Sequence, residues 1–237
     1  MPRPLNELQS LAKQVRREIV QMIGAAKSGH AGGSLSAVEI LVELFFDYMK
    51  IDPKNPLWPD RDRFILSKGH AAPVLYAVMA EAGYPDTPLD KLNTLRQLGS
   101  VYHGHPDVRF IHSLEASTGS LGGRLSLALG MGIAARLDGR PSRTYCLLGD
   151  GEIQEGQVWE AAMEAGNYHL DNIIAIIDCN RLQIDGWVKD VMQVEPLDAK
   201  YAAFGWEVLH VDGHDMAQLV DVFDKAQIGR ASCRERV

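Results

Sequence analysis

The stretch RTYCLLGDGEIQEGQVWEAAMEAGNYHLDNIIAIIDCNRL, residues 143–182, decides the fold class. A β-rich run ends in the triplet GDG at 149–151, a helical segment follows, and a second apolar run ends in the triplet DCN at 178–180. This order predicts two parallel strands joined by a right-handed helical crossover. Because the carboxyl ends of parallel strands meet at one edge of the sheet, we expect Asp150 and Asn180 to be neighbours there.

Carboxylate and carboxamide oxygens beside glycines suit a hard divalent cation. Asp150, Asn180 and a nearby backbone carbonyl leave such a cation short of its six oxygens, which diphosphate oxygens and water would complete. Gly149 and Gly151 fit this interpretation, since a Cβ atom there would hinder the approach of the ligand. Alternatively, the GDG triplet is an ordinary strand-to-helix turn in which the aspartate caps the helix. The asparagine at the next strand end favours a Mg²⁺-diphosphate.

Composition excludes several classes of protein. With 237 residues, 46% of them hydrophobic, the chain can bury the core of one large α/β domain. Its formal net charge of −7 and lack of a long basic run argue against nucleic acid or an anionic membrane as the main partner. Three cysteines without CxxC spacing do not indicate a disulfide framework or a zinc site. Neither a signal peptide nor a membrane-spanning run is visible, so we expect a cytoplasmic protein.

The rest of the chain continues the alternation of strands and helices. An amphipathic helix to about residue 26 precedes a glycine-rich loop at 28–36, and Ser36 with Glu39 fits a capping box that opens the next helix. Further strands are predicted at 63–67 and 206–211; further helices are predicted up to about residue 82, at 125–136 and at 216–226; and a loop is predicted at 181–196. The expected fold class is α/β, with a parallel β-sheet flanked by helices.

Three histidines stand in loops where chemistry is common. His30 lies in the glycine-rich loop, although lone loop histidines are often ordinary surface residues. His70 sits where the first strand meets a helix N-terminus, which suits a phosphate, or else it caps its own helix. His105 follows His103 in a further loop, but no other cysteine or histidine lies at the spacing of a zinc site.

The last ten residues differ in composition and hydrophobic pattern from the residues that precede them. Residues 228–237 have no apolar periodicity, are rich in arginine and stop abruptly. They resemble a cloning or sequencing junction, so we predict a domain at 1–227 and a non-native tail at 228–237, and we base no fold prediction on the tail.

Taken together, the loops of this chain resemble those of the N-terminal, diphosphate-binding domain of transketolases, over about residues 8–227. The segments that carry the resemblance occur in the family's order: SGHAGGSLS, DRDRFILSKGHAA, GHPD, TGSLGG, GDGEIQEG, DCN with IDG soon after it, and FGWEVLHVDGHD. The resemblance is greatest to the separately encoded N-terminal subunit of a split transketolase. It implies the cofactors thiamine diphosphate and Mg²⁺.

The resemblance also implies roles for individual residues around the metal. Asp150, Asn180 and the backbone carbonyl of Leu182 would hold the Mg²⁺. The cofactor itself would be bound by residues at the ends of the strands and in the TGSLGG loop, namely His70, Gly119, Leu121, Gly149, Gly151 and Asn180. Glu155 matches an acidic residue at the family's subunit interface.

The implied reaction is transfer of a two-carbon ketol unit from a ketose phosphate to an aldose phosphate, as in the pentose phosphate pathway. His30 and His105 would be the catalytic residues, hydrogen-bonding the sugar hydroxyls or the reacting carbonyl, since histidine can exchange a proton near pH 7. The partner would be a C-terminal transketolase subunit carrying the pyrimidine-binding and C-terminal domains, with two copies of each chain in a heterotetramer.

The chain departs from the family's pattern at two places, and two other functions stay open as alternatives. Ala31 stands where a proline is common, and Gly123-Arg124 where the family usually has Gln-Gly. Deoxyxylulose-phosphate synthase shares the cofactor and fold, although the KGH and GHPD segments favour transketolase. A non-enzymatic Mg²⁺-nucleotide-binding module would use GDG and Asn180 alone, and it leaves the three histidines unexplained.

Overall fold

A five-stranded parallel β-sheet forms the centre of the molecule. The structure is a computed structural model that describes residues 3–184, 186–228 and 231–236, with side chains described up to residue 226. The strands of this sheet are β1 (Arg63–Leu66), β2 (Thr144–Gly149), β3 (Ile173–Cys179), β6 (Glu207–Asp212) and β7 (Ala231–Arg236). Their order in the sheet is β1-β2-β3-β7-β6. A separate antiparallel pair consists of β4 (Leu182–Gln183) and β5 (Gly186–Trp187).

Helices cover both faces of the central sheet, so the predicted α/β class is confirmed. The α-helices are α1 (Leu5–Ala26), α2 (Ala31–Leu35), α3 (Val38–Glu43), α4 (Ala72–Ala82), α5 (Arg124–Leu137), α6 (Gly156–Asn167), α7 (Val188–Val191), α8 (Leu197–Ala203) and α9 (Met216–Ile228). Short 3₁₀ turns at Gly69–Ala71 and Gly151–Gln154 follow β1 and β2 directly. None of the helices described is long and apolar enough to cross a membrane.

Alternate residues of the strands point into two different hydrophobic cores, one on each face of the sheet. Leu147 and Ile176 point into a core shared with α1, α3, α4 and α9, whereas Leu148 and Ile177 point into a core shared with α5, α6 and α8. Every residue of β2 and β3 is buried. Strands covered on both faces read as continuous apolar runs, which is why the sequence around the GDG and DCN triplets is so hydrophobic.

The predicted crossover from β2 to β3 is confirmed by the strand pairing. The two strands are adjacent and parallel, with Gly149 opposite Asp178 at the end of the register. Helix α6, between them in the chain, buries Val158, Ala161 and Ala162 against the sheet. The carboxyl edge of the sheet is therefore the place where the side chains of both triplets emerge.

The final strand lies in the segment that the sequence predicts to be a non-native tail. The backbone of residues 231–236 forms β7, which is parallel to β3 on one side and to β6 on the other. Backbone N–H and C=O groups pair whatever side chains they carry, so a segment without apolar periodicity can fill a gap in a sheet. That residues 228–237 are non-native, and that the domain stops at residue 227, stay predictions.

Two expectations about local structure were wrong. The glycine-rich segment contains helix α2, with His30 at its N-cap, and Ser36 makes no capping box because its hydroxyl donates to the carboxylate of Asp178. The predicted loop at 181–196 contains β4, β5 and α7. In both places hydrogen bonds to distant parts of the chain, or between short segments, outweigh the local pattern.

Candidate functional site

The ends of β2 and β3 are tied together by the backbone and side chain of Asp150. Its N–H donates to the carbonyl of Asp178 at 3.1 Å. Its carboxylate accepts hydrogen bonds from the N–H groups of Gly151, at 2.9 Å, and Arg181, at 2.7 Å. The GDG triplet and the residue after Asn180 thus lie against each other, as the crossover predicts.

Asn180 is held from two sides. Its amide nitrogen donates to Oδ2 of Asp178 at 3.2 Å, and its amide oxygen accepts from the N–H of Leu182 at 3.0 Å. The structure therefore brings Asp150, Asn180 and Leu182 to one turn at the carboxyl edge of the sheet. Their role as metal ligands stays a prediction.

Burial shapes the charge of Asp150. Asp150 is only 5% exposed. This burial, together with the nearby charge of Asp178, raises the pKa of the carboxyl to about 6. The hydrogen bond from the Arg181 N–H works in the opposite direction. A buried carboxylate short of positive partners is an environment in which a bound cation would lower the cost of ionisation.

The three candidate histidines converge on the same edge. The rings of His30 and His70 lie 5.2 Å apart, centroid to centroid, in an edge-on arrangement. Burial, together with the charges of Lys68, His30 and His105, lowers the pKa of His70 to about 4. Burial also lowers the pKa of His105, with a contribution from Arg96. The rings of His70 and His105 are accordingly neutral near pH 7 and can accept hydrogen bonds.

Small residues keep the space around these side chains open. A Cβ atom on Gly119, which has φ of +148°, would lie 3.4 Å from His105, and one on Gly151 would lie 2.9 Å from Gln183. Gly149 is buried at the end of β2. Leu121 exposes 40% of its surface in the loop next to Gly119. All the residues predicted to bind the cofactor therefore line this edge or the loop beside it, and their roles stay predictions.

Sequence reasoning missed an ion pair beneath the site. Lys68, just after β1, and Asp178, near the end of β3, are both fully buried and form a salt bridge. The ammonium of Lys68 also donates to the carbonyl of Gly33 at 2.7 Å, and the hydroxyl of Ser36 donates to the Asp178 carboxylate. Charged residues at the ends of two strands predicted to be buried were the available signal.

Glu152 is a second missed residue. It is 3% exposed and accepts hydrogen bonds from the N–H of Gly122 at 2.8 Å, from the N–H of Gly149 at 3.1 Å and from the hydroxyl of Ser67. Burial raises the pKa of its carboxyl. Glu152 joins the ends of β1 and β2 to the loop that contains Gly119 and Leu121, so it fixes that loop relative to the GDG triplet.

Arg96 is a third residue that the sequence did not single out. Its guanidinium donates to the hydroxyl of Ser28 at 2.6 Å, and its Nε would lie 3.0 Å from a Cβ atom on Gly104. It therefore connects the segment before His30 to the segment before His105. No local pattern marks an arginine in a turn as part of a site, because only the folded chain brings it there.

The arrangement of acidic and histidine side chains gives no closed metal centre by itself. Within the described ranges, no group of three or more histidine, cysteine, aspartate or glutamate side chains is placed to hold a metal ion. The predicted ligands are of a different kind: one carboxylate, one amide oxygen and one backbone carbonyl. Such a set needs oxygens from a ligand to complete it.

The family model for the thiamine diphosphate binding domain of transketolase matches this chain over residues 8–233. Relatives named as components of transketolases are similar over most of their length. The 6-deoxy-6-sulfo-D-fructose transketolase subunit of Clostridium sp. (strain MSTE9) is 45% identical over 93% of this chain and 80% of its own. An apulose-4-phosphate transketolase subunit of Actinobacillus succinogenes is 44% identical over 94% of this chain and 80% of its own.

Single-chain transketolases match over a smaller part of their length. The transketolase of Rattus norvegicus is 43% identical over 94% of this chain, which spans 36% of that protein. The crystal structure of the Campylobacter jejuni transketolase superposes with a TM-score of 0.90 at 35% identity, over 96% of this chain and 37% of that one. This chain therefore spans a little more than a third of a single-chain enzyme.

Proposed function

This chain belongs to the transketolase family, as its thiamine diphosphate-binding domain, and on that premise we propose that it is the N-terminal subunit of a two-chain transketolase. The observation that carries the proposal is similarity to relatives named as subunits: the chain is 45% identical to the Clostridium subunit and 44% identical to the Actinobacillus subunit. With a C-terminal subunit, two copies of each in a heterotetramer, it would transfer a ketol unit between sugar phosphates in the cytoplasm. The family match sets aside the synthase and nucleotide-module alternatives.

The residues present fit a Mg²⁺-diphosphate. Asp150, Asn180 and the Leu182 carbonyl offer only hard oxygens, the kind of ligand that Mg²⁺ prefers. Two buried polar atoms on this side of the sheet, Oδ1 of Asp178 and Oγ1 of Thr118, have no hydrogen-bond partner in the described part of the chain. Unsatisfied buried polar atoms call for a ligand or water. The empty hydrogen-bonding capacity and the oxygen-rich donor set together support this site for Mg²⁺.

The remaining contacts of the cofactor are proposed from the family resemblance. His70 and Gly151, which lie in short 3₁₀ turns at the sheet edge, would bind the diphosphate. Gly119 and Leu121 would pack against the rings, and Gly149 would let the ligand approach the end of β2. When bound, thiamine diphosphate supplies the stabilised carbanion needed to break and form the carbon–carbon bond.

The protein's own part in the reaction is proton movement and orientation. Ring nitrogens of His30 and His105 would accept and return protons at the sugar hydroxyls and at the reacting carbonyl oxygen. The convergence of His30 and His105 with His70 supports this proposal. Arg96 would add a positive charge beside these rings.

A partner chain is proposed because part of the surface suits an interface. Glu155, exposed at the start of α6, lies against Gly122, and Leu127, on the nearby helix α5, is 37% exposed. Apolar side chains left in water next to a site are typical of an interface that another chain covers. We propose that the C-terminal subunit covers this face.

The decisive experiment compares ligands rather than activities. Thiamine diphosphate with Mg²⁺ should raise the melting temperature of the chain, alone or mixed with its C-terminal partner, because a ligand that binds only the folded state stabilises it. ATP with Mg²⁺ serves as the control and should have no effect. Stabilisation by ATP and not by thiamine diphosphate would contradict the proposal.

A further inference from the structure

The buried pair formed by Lys68 and Asp178 calls for an explanation other than stability. Both side chains are fully buried, and they meet beneath Gly149, since a Cβ atom on that glycine would lie 3.8 Å from the Lys68 side chain. A buried ion pair pays a large desolvation cost, and replacing it by apolar residues is often neutral or stabilising. Its presence is therefore weak evidence for a role in stability.

One oxygen of the Asp178 carboxylate accepts all the hydrogen bonds described for that side chain. Oδ2 accepts from Lys68, from the hydroxyl of Ser36 and from the amide nitrogen of Asn180, whereas Oδ1 is buried without a partner in the described part of the chain. The carboxylate is thus held with one oxygen pointing at the ammonium and the amide. Lys68 fixes the carboxylate, and the carboxylate in turn contacts Asn180.

The contact decides which way the amide of Asn180 faces. An ionised carboxylate only accepts hydrogen bonds, so it selects the NH₂ group of the amide and turns the oxygen away. That oxygen lies on the side of the Leu182 N–H, in the turn where Asp150 contacts Arg181. With the amide reversed, a nitrogen donor would stand where the site needs an acceptor.

We propose that Asp178, held by Lys68, is a positioning residue that orients the amide of Asn180 so that its oxygen faces a divalent cation. This inference rests on the proposed function, because it concerns the same Mg²⁺-diphosphate site. It adds two residues that act through Asn180 and do not themselves touch the metal.

The test compares two double variants that lack both charges. Lys68→Met with Asp178→Asn keeps an oxygen that can accept from the Asn180 amide, whereas Lys68→Met with Asp178→Leu keeps the shape and removes the acceptor. For each, circular dichroism gives the melting temperature. Calorimetry of the chain, together with its C-terminal partner if the chain alone does not bind, gives the Kd for thiamine diphosphate with Mg²⁺ and with EDTA.

We expect both variants to fold, and the leucine variant to lose at least about tenfold more of the Mg²⁺-dependent affinity than the asparagine variant, a difference that corresponds to one lost hydrogen bond. Adding Asn180→Ala to each should abolish the difference, since the effect acts through that residue. Equal affinities of the two variants would overturn the inference. Unfolding of the leucine variant alone would overturn it as well, because the contact would then be structural.

The proposed function fails separately from this inference. If the unmodified chain, with and without its partner, shows no Mg²⁺-dependent binding of thiamine diphosphate, the cofactor site itself is wrong. If the unmodified chain binds and the two variants do not differ, only the positioning role of Asp178 is wrong.

Discussion

The carboxylate of Asp150 accepts a hydrogen bond from the backbone N–H of Arg181 at 2.7 Å, across a sequence separation of 31 residues. This contact closes the turn in which Asn180 and Leu182 lie. Because both strand ends are fixed by the sheet register, the turn would need little rearrangement to receive the proposed cation.

Replacing either predicted side-chain ligand should weaken the metal-dependent binding of the cofactor. We expect Asp150→Ala or Asn180→Ala to reduce the affinity for thiamine diphosphate with Mg²⁺ by at least about 2 kcal/mol, the scale of a lost charge-assisted contact. Calorimetry measures the change, and Asp190→Ala, an exposed aspartate in the nearby helix α7, is the control. Unchanged affinity in both ligand variants would remove the metal site from the proposal.

The histidines should separate into two groups in the assembled enzyme. His30→Ala and His105→Ala should lower kcat/KM for the ketose donor about a hundredfold, the usual size of a proton-transfer contribution, with cofactor affinity nearly intact. His70→Ala should mainly weaken cofactor binding. Steady-state kinetics and calorimetry distinguish the groups, with the exposed His112→Ala as control. Loss of cofactor in the first two variants with normal sugar kinetics would reverse the assignments.

The chain should not turn over by itself. The resemblance implies that a carboxylate from the pyrimidine-binding domain activates the cofactor, and the described fold uses this chain for one α/β domain. A ketose-to-aldose transfer assay with Mg²⁺ and thiamine diphosphate should give activity only when the C-terminal subunit is added. Robust turnover by the purified chain alone would refute the requirement for a partner.

Two glycines of helix α5 should respond oppositely to the same substitution. A Cβ atom on Gly132 would lie 2.7 Å from Cγ1 of Ile173 in β3, whereas nothing lies within 4 Å of one on Gly130. Gly132→Ala should therefore destabilise the chain by about 1–3 kcal/mol through overpacking. Gly130→Ala should stabilise it by about 0.4–1 kcal/mol, since alanine costs less entropy on folding. Chemical denaturation of the isolated chain measures both, and equal effects would contradict the packing.

Glu18 should make the chain less stable in alkaline solution. Burial, then a hydrogen bond to Glu81, raises the pKa of its carboxyl from 4.5 to about 8. Between pH 4.5 and about 8 the folded state therefore binds a proton that the unfolded state has lost. The free energy of unfolding falls as the pH rises through this range. Glu18→Gln, which can keep the contacts to Gln14 and Glu81, should exceed the unmodified chain in stability by at least about 1 kcal/mol at pH 8.5 and match it near pH 4.5.

Denaturation curves at the two pH values test this prediction. Glu7→Gln, in the exposed first turn of the same helix α1, is the matched control and should show no such pH dependence. A constant difference between Glu18→Gln and the unmodified chain at both pH values would show that the carboxyl does not change its protonation on folding.

The sequence predicts what depends on local pattern. The crossover from β2 to β3 and the meeting of Asp150 with Asn180 follow from hydrophobic runs and a handedness rule that allow few alternatives. What it did not predict depends on partners far along the chain. Ser36 looked like a helix cap, but it donates to Asp178, 142 residues away, and the ion pair between Lys68 and Asp178 exists only once three strands are assembled.

The position of β7 has a consequence for the order in which the chain can fold during synthesis. Among the described residues, β6 joins the sheet only through β7, which follows it in sequence, so the sheet stops at β3 until a segment, native or not, fills the place that residues 231–236 take. Until then β3, fully buried in the finished fold, presents an unpaired edge of backbone donors and acceptors. A growing chain with such an edge is a substrate for chaperones and for intermolecular strand pairing, and a pause in translation just before β7 would lengthen that exposure.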